Sequence, residues 1–194
     1  MNEPELVILG IAGSLRALSY NRGLLRAAVE LAPAGVRVEI ADIGALPLYN
    51  EDVRLAGEPA PVVALKDAAR RADALLLACP EYNYSVAAPL KNAIDWLSRP
   101  VMESPMRHKP VAIMGASTGG FGTVRGQLAL RQVLQFTRCM VMIEPEVMVS
   151  RAKDAFDADS NLTEAKARAE VQALVVSLAQ WTRRMRAPAP APAN

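Results

Sequence analysis

Three short stretches of the 194-residue sequence combine residue types suited to binding small anions and flat rings. The first, GSLRALSYN at Gly13 to Asn21, offers the hydroxyls of Ser14 and Ser19, the amide of Asn21 and the guanidinium of Arg16. If that stretch runs into a helix, the unpaired N–H groups and partial positive charge of the helix start join those side chains, and the set suits a phosphate. A plainer use is open to the same residues: Ser19 or Asn21 could cap the helix, with Arg16 in solvent. Neither GxxxxGK[ST] nor GxGxxG occurs, which favours a monophosphate over a pyrophosphate. The second stretch, CPEYNYSVAAPLKNAIDW at Cys79 to Trp96, sets Pro80, Glu81, Tyr82, Asn83, Tyr84 and Ser85 in a row. Two aromatic planes beside amide and hydroxyl groups suit a flat heteroaromatic ligand, which stacks by its faces and hydrogen-bonds by its edge. Tyrosines that merely cover the loop with their hydroxyls in water are the alternative. The third, GASTGGFG at Gly115 to Gly122, has four glycines in eight positions. It could bring backbone close to a ligand or simply turn the chain.

The elements that must position these stretches alternate along the chain. Leu6 to Ala12 (LVILGIA) is apolar without alternation, as in a strand covered on both faces. From Asn21, the positions Leu24, Leu25, Ala28 and Leu31 follow helical spacing until Pro33 and Gly35. Val36 to Ile40 (VRVEI) is an alternating second strand, followed by an irregular DIGALPLYNEDV and a helix from about Pro61 to Ala72. Ala74 to Cys79 is a third strand, Ala88 to Leu97 a helix, Val111 to Gly115 a fourth strand and Val124 to Thr137 a helix. A fifth strand lies within Met140 to Ile143. In the last helix, Asn161 and Glu164 form a capping pair, and Val171, Leu174, Val175, Leu178, Trp181 and Met185 form one face. Five strands alternating with helices imply a doubly wound, three-layer α/β domain with a parallel sheet. In such a sheet, ligands bind beyond the carboxyl ends of the strands where the strand order reverses, which is where all three stretches fall.

Composition narrows the rest. Apolar residues make up 52% of the chain and charged residues 22%, with 22 basic against 20 acidic side chains, the balance of an ordinary globule. The basic residues are scattered and matched by carboxylates, which argues against nucleic acid as the main ligand. Acidic residues precede the first apolar run, opposite to a secretory signal, and no apolar stretch approaches membrane-spanning length, so a cytoplasmic protein without membrane association is expected. Cys79 and Cys139 each sit in an apolar run and read as buried free thiols, and no cluster has metal-ligand spacing. His108, the only histidine, falls near a strand start, at the wrong end of the sheet for catalysis. Residues 1–186 are expected to form one domain, and the Ala/Pro tail 187–194 to be disordered.

GSLRALSYN, PEYNYSVAAPLKNAIDW and GASTGGFGTVRGQLALRQVL with the following PEV resemble, in that order, the NAD(P)H-dependent FMN reductase family, which includes chromate and quinone reductases and relatives of azoreductases. The resemblance covers about Leu6 to Val149. It implies a flavodoxin-like fold with strand order 2-1-3-4-5, and FMN together with NADPH or NADH as cofactors. By similarity, Ser14, Arg16, Ser19 and Asn21 would hold the FMN phosphate, and Pro80, Glu81, Tyr82 and Asn83 would border the isoalloxazine ring. Ser117, Gly119 and Gly120 would approach its other side or the ribityl chain. The third motif departs from the family, with Thr118 where a proline is frequent and Thr123 and Val124 where a Gly-Ala pair is. The implied activity is ping-pong hydride transfer from NAD(P)H to small acceptors such as quinones, azo compounds or chromate, with the chemistry carried by FMN. The resemblance also implies a homodimer or homotetramer, for which Arg125 and Glu146 are expected to pair between subunits. A flavodoxin-type electron carrier docking a protein partner is the alternative, which the balanced charge disfavours; a cofactor-free interaction domain is a third.

Overall fold

The computed structural model describes residues 5–186, so the expectation for the 187–194 tail lies outside the described residues. The first apolar run forms β1 (Leu6–Ala12), buried at every position but Val7. The chain then passes through α1 (Tyr20–Glu30), β2 (Val36–Ile40), α2 (Glu51–Ala56), α3 (Ala60–Arg71) and β3 (Ala74–Ala78). A short hairpin follows, β4 (Glu81–Tyr82) and β5 (Ser85–Val86), and then α4 (Ala88–Leu97), β6 (Pro110–Ala116) and α5 (Val124–Phe136). The last part comprises β7 (Met140–Val141), β8 (Val147–Val149), α6 (Ala152–Ala155) and α7 (Ala165–Arg186).

The main sheet is parallel throughout and runs β2-β1-β3-β6, with β7 and β8 both on the outer side of β6. Counting β7 and β8 as one lane, the expected order 2-1-3-4-5 holds. Covered strands need apolar residues on both faces, and the sheet meets that need with two cores. On one side α1 and α7 bring Leu24, Leu25, Val171, Leu174 and Leu178 onto the strands; on the other α3, α4 and α5 bring Leu65, Leu90, Ile94, Leu130 and Leu134. Each such side chain, fully buried, contributes about 1.5–3 kcal/mol of apolar transfer.

Four expectations are corrected. The fifth lane is not a single strand within Met140 to Ile143: it pairs at Met140–Val141, leaves the ladder and resumes at Val147–Val149. Pro145, which has no N–H to donate, lies in the gap. The stretch before Pro61 is not wholly irregular, because Asn50 accepts from Asp52 N and starts α2. The loop after Pro80 is a hairpin. The last helix starts at Ala165, and Glu164 alone caps it, accepting from Lys166 N at 3.0 Å and Ala167 N at 2.6 Å. Asn161 instead bonds to Asp157.

Candidate functional site

The strands β1, β3 and β6 end side by side at Ala12, Ala78 and Ala116, and the three stretches singled out in the sequence leave from those ends. Gly13 N donates to Ala78 O at 2.9 Å, and a Cβ on Gly13 would lie 2.7 Å from Pro80 Cδ and 2.9 Å from Leu90 Cβ. Only glycine lets the first loop lie this close to the second. Between the loops is a cleft of about 290 Å³. Arg16, Ser19, Tyr20 and Asn21 wall it on one side, Pro80, Glu81 and Tyr82 on another, and Ala116, Ser117 and Thr118 on a third.

The first loop divides into residues that build the cleft and residues open to a ligand. Ser19 is the N-cap of α1, its hydroxyl accepting from Arg22 N at 3.3 Å. Asn21 is buried and engaged at both ends of its amide, Nδ2 donating to Ala116 O at 2.9 Å and Oδ1 accepting from Ala116 N at 3.0 Å. That pair joins positions 95 residues apart and ties the first loop to the end of β6. Arg16 is exposed and bonds only within its own loop, to Leu18 O at 2.7 Å. The Ser14 hydroxyl has no hydrogen-bond partner among the described residues, although the residue is buried. Tyr20 and Asn21, whose N–H groups open α1 without an intrahelical acceptor, also line the cleft.

In the second loop, Asn83 and Tyr84 both have positive φ, 51° and 64°, which makes the β4–β5 connection a two-residue turn of the kind that fits strand twist. The turn leaves Tyr82 and Tyr84 49% and 71% exposed. The Glu81 side chain turns away to α5, where its carboxylate accepts from two backbone N–H groups and pairs with Arg125. In the third loop Ser117 Oγ accepts from Gly119 N at 3.2 Å. Asn83, Gly119 and Gly120 stand outside the cleft lining, as does Ser14. Tyr20, Ala116 and Thr118 line it and are not among the site residues read from the sequence. Thr118 shares a sequence motif with Ser117 and could have been read from it. Tyr20 adjoins Ser19 but shows its place only through the fold.

Other groups have plainer roles. Cys79 is fully buried under the cleft, and burial, with Glu81 nearby, pushes its thiol up to about 12, so it is a core residue. His108 is exposed at the amino edge, by the starts of the strands. Arg125 and Glu146, expected to pair across subunits, each have a partner in their own chain: Glu81 for Arg125 at 3.3 Å, and Arg131 for Glu146 at 3.7 Å. Among the described residues, no group of three or more His, Cys, Asp and Glu could hold a metal ion. Among the same residues, no helix is long and apolar enough to cross a membrane.

The cleft thus combines a cation, the Thr118 hydroxyl without a partner among the described residues, a helix start and three walls. An anion and a flat ring fit it together, which is the chemistry of a flavin mononucleotide. The profile of the family described as NADPH-dependent FMN reductase matches residues 6–154. An NAD(P)H-dependent FMN reductase of Pseudomonas aeruginosa is 51% identical over 182 residues, 94% of this chain and 98% of that protein. A quinone reductase of Pseudomonas putida is 42% identical over 91% of this chain and 95% of its own length. Among solved structures, the flavoenzyme NAD(P)H:(acceptor) oxidoreductase FerB from Paracoccus denitrificans superposes with a TM-score of 0.84 at 33% identity, covering 93% of this chain and 98% of that one.

Proposed function

The chain belongs to the NADPH-dependent FMN reductase family, and on that premise we propose that it is an FMN-dependent NAD(P)H oxidoreductase whose acceptors are quinones. The observation that carries the reading is the convergence of three loops, tied by the Asn21–Ala116 pair, on one cleft at the carboxyl edge of the sheet. Arg16, the hydroxyls of Ser14 and Ser19 and the start of α1 would hold the phosphate, with Asn21 keeping that loop in place. Pro80, Glu81, Tyr82 and Asn83 would border one side of the ring, the last two by exposed side chains at the hairpin tip. Ser117, Gly119 and Gly120 would border the other side or the ribityl chain. When bound, FMN supplies hydride acceptance from NAD(P)H and electron return to the acceptor. The protein's task is to orient the ring and to leave one face open to the two substrates in turn.

Further parts of the reading are finer. A homodimer or homotetramer would cover Tyr82, Tyr84 and Phe121, which stand 49%, 71% and 70% exposed beside the cleft. A cytoplasmic setting agrees with two free cysteines. Azo compounds and chromate are included as secondary acceptors. Flavin-loaded protein mixed anaerobically with NADPH or NADH should lose its yellow absorption and regain it on adding benzoquinone. Oxidised absorption that persists under excess of both nucleotides would overturn the reading, and sedimentation showing only monomer at micromolar concentration would remove the oligomer.

A further inference from the structure

The start of α5 has no cap of its own. Thr123 occupies the cap position, yet its hydroxyl is engaged by Gln127 Nε2 at 3.0 Å and not by an N–H of the first turn. The cap comes from the neighbouring loop. Glu81 Oε2 accepts from Arg125 N at 2.9 Å and Gly126 N at 3.0 Å, the second and third residues of the helix, and Oε1 takes the Arg125 guanidinium at 3.3 Å. A carboxylate is the natural group here, because it accepts several donors at once and meets the positive end of the helix.

Packing at the junction is tight. A Cβ on Gly126 would stand 3.2 Å from Glu81 Cβ, 3.3 Å from Glu81 Cα and 3.3 Å from Ser85 O, so any larger residue would push the helix and the hairpin apart by a few tenths of an ångström. Beside it, the Arg125 guanidinium lies 4.0 Å from the Tyr84 ring centre and 4.9 Å from that of Phe121. Hairpin, helix and third loop therefore meet at one point, and the Glu81 side chain, 10% exposed, is at its centre.

We propose that Glu81 is a positioning residue: by capping α5 from the adjacent loop it sets the distance between the Pro80–Tyr82 wall and the Ser117–Thr118 wall, the gap that receives the flavin ring. The proposal rests on the FMN reading for its ligand, but not for its geometry. Both carboxylate oxygens are engaged by α5, so the ring edge meets the backbone of this loop and not the Glu81 carboxylate.

Three variants of the full chain test it: Glu81→Ala, Glu81→Gln and Gly126→Ala. In flavin-free protein, amide exchange at Arg125 and Gly126 should speed up about tenfold or more in Glu81→Ala and less in Glu81→Gln, with amides of β1 and β3 unchanged. On titration with FMN, the Kd should rise about tenfold in Glu81→Ala and in Gly126→Ala, which wedges the same gap without removing charge, and Glu81→Gln should recover part of the loss. With FMN saturating, the KM for benzoquinone should rise in Glu81→Ala and in Gly126→Ala and be partly restored in Glu81→Gln, whereas partial unfolding would lower the active fraction without moving KM. Unchanged amide exchange at Arg125 and Gly126, or an FMN Kd within about twofold in both Glu81→Ala and Gly126→Ala, overturns the proposal. If Glu81→Ala does not fold, Gly126→Ala decides. If the unaltered chain binds no FMN, the FMN reading fails by itself and the exchange rates still decide whether Glu81 is the cap.

Discussion

Both edges of the sheet are notched, the amino edge by a cavity of about 450 Å³ and the carboxyl edge by one of about 290 Å³, and their polar groups are engaged differently. At the amino edge the chain satisfies itself. Asp73 accepts from Val7 N at 2.8 Å and pairs with Arg186, Lys109 bonds the Ala72 carbonyl at the end of α3, and Arg107 bonds His108 Nε2 at 3.1 Å. The cations of that edge stand where α3 and α7 end, at the negative ends of their dipoles. At the carboxyl edge the start of α1 faces the cleft, Arg16 is held only within its own loop, and the hydroxyls of Ser14 and Thr118 have no partner among the described residues. The larger cavity is thus lined by groups already paired, whereas the smaller one keeps Arg16, the Thr118 hydroxyl and the start of α1 with bonds to give. Residual bonding capacity, not volume, sets the carboxyl edge apart.

The largest way to break this contrast is to collapse the working edge. A Cβ at Gly115 would overlap the Thr123 hydroxyl and lie 2.5 Å from Cys79 O, so Gly115→Ala should destabilise the fold by about 3 kcal/mol in urea unfolding and abolish flavin binding. Asn21→Leu should cost about 2 kcal/mol in the same measurement, because it strands the buried N–H and C=O of Ala116. Arg16→Ala should leave stability within about 0.5 kcal/mol while weakening FMN about tenfold, and should leave riboflavin, which has no phosphate, unaffected. Loss of riboflavin binding as well would place Arg16 against the ring.

Beneath the cleft, the Cys79 thiol is raised to about 12 from an ordinary value near 9, so its contribution to stability is complete below about pH 9 and is lost as pH rises from there through 12. Alkaline titration of unfolding should show stability falling in that window, and iodoacetamide should leave Cys79 unlabelled at pH 8. Smallest of all, Arg107→Gln at the amino edge should change neither stability by more than about 0.5 kcal/mol nor FMN affinity. A clear drop in FMN affinity there would erase the distinction between the edges.

The fold was largely legible because β1, β3 and β6 are covered on both faces and therefore read as unbroken apolar runs. What escaped has a physical reason in each case. None of the α2 residues is buried, so no apolar period betrays the helix, although Asn50 before two acids and Gly57 after it were available signs. The outer lane is broken into pieces of two and three residues, too short to show a period, which hid its second piece at Val147–Val149. The candidate site was legible as loops and not as bonds. Nothing local announces that Asn21 reaches Ala116 or that Glu81 reaches Arg125, since those partners stand 95 and 44 residues away. Within its own chain Arg125 already has a carboxylate partner in Glu81, which its sequence neighbourhood does not announce.

The interrupted outer lane bears on how the protein behaves at high concentration. A long free strand edge is a template on which another chain can add itself, and this sheet offers none. On one flank the outer lane pairs over only two and then three residues, with Pro145 in the gap and the Met142 carbonyl bonded by Arg131 at 2.7 Å. On the opposite flank β2 carries Arg37 and Glu39 along its short length, and charges there discourage stacking. Resistance to aggregation is therefore built into both borders of the sheet, and a change that straightened the 142–146 segment into continuous strand would put solubility at risk before it touched the cleft at the carboxyl edge.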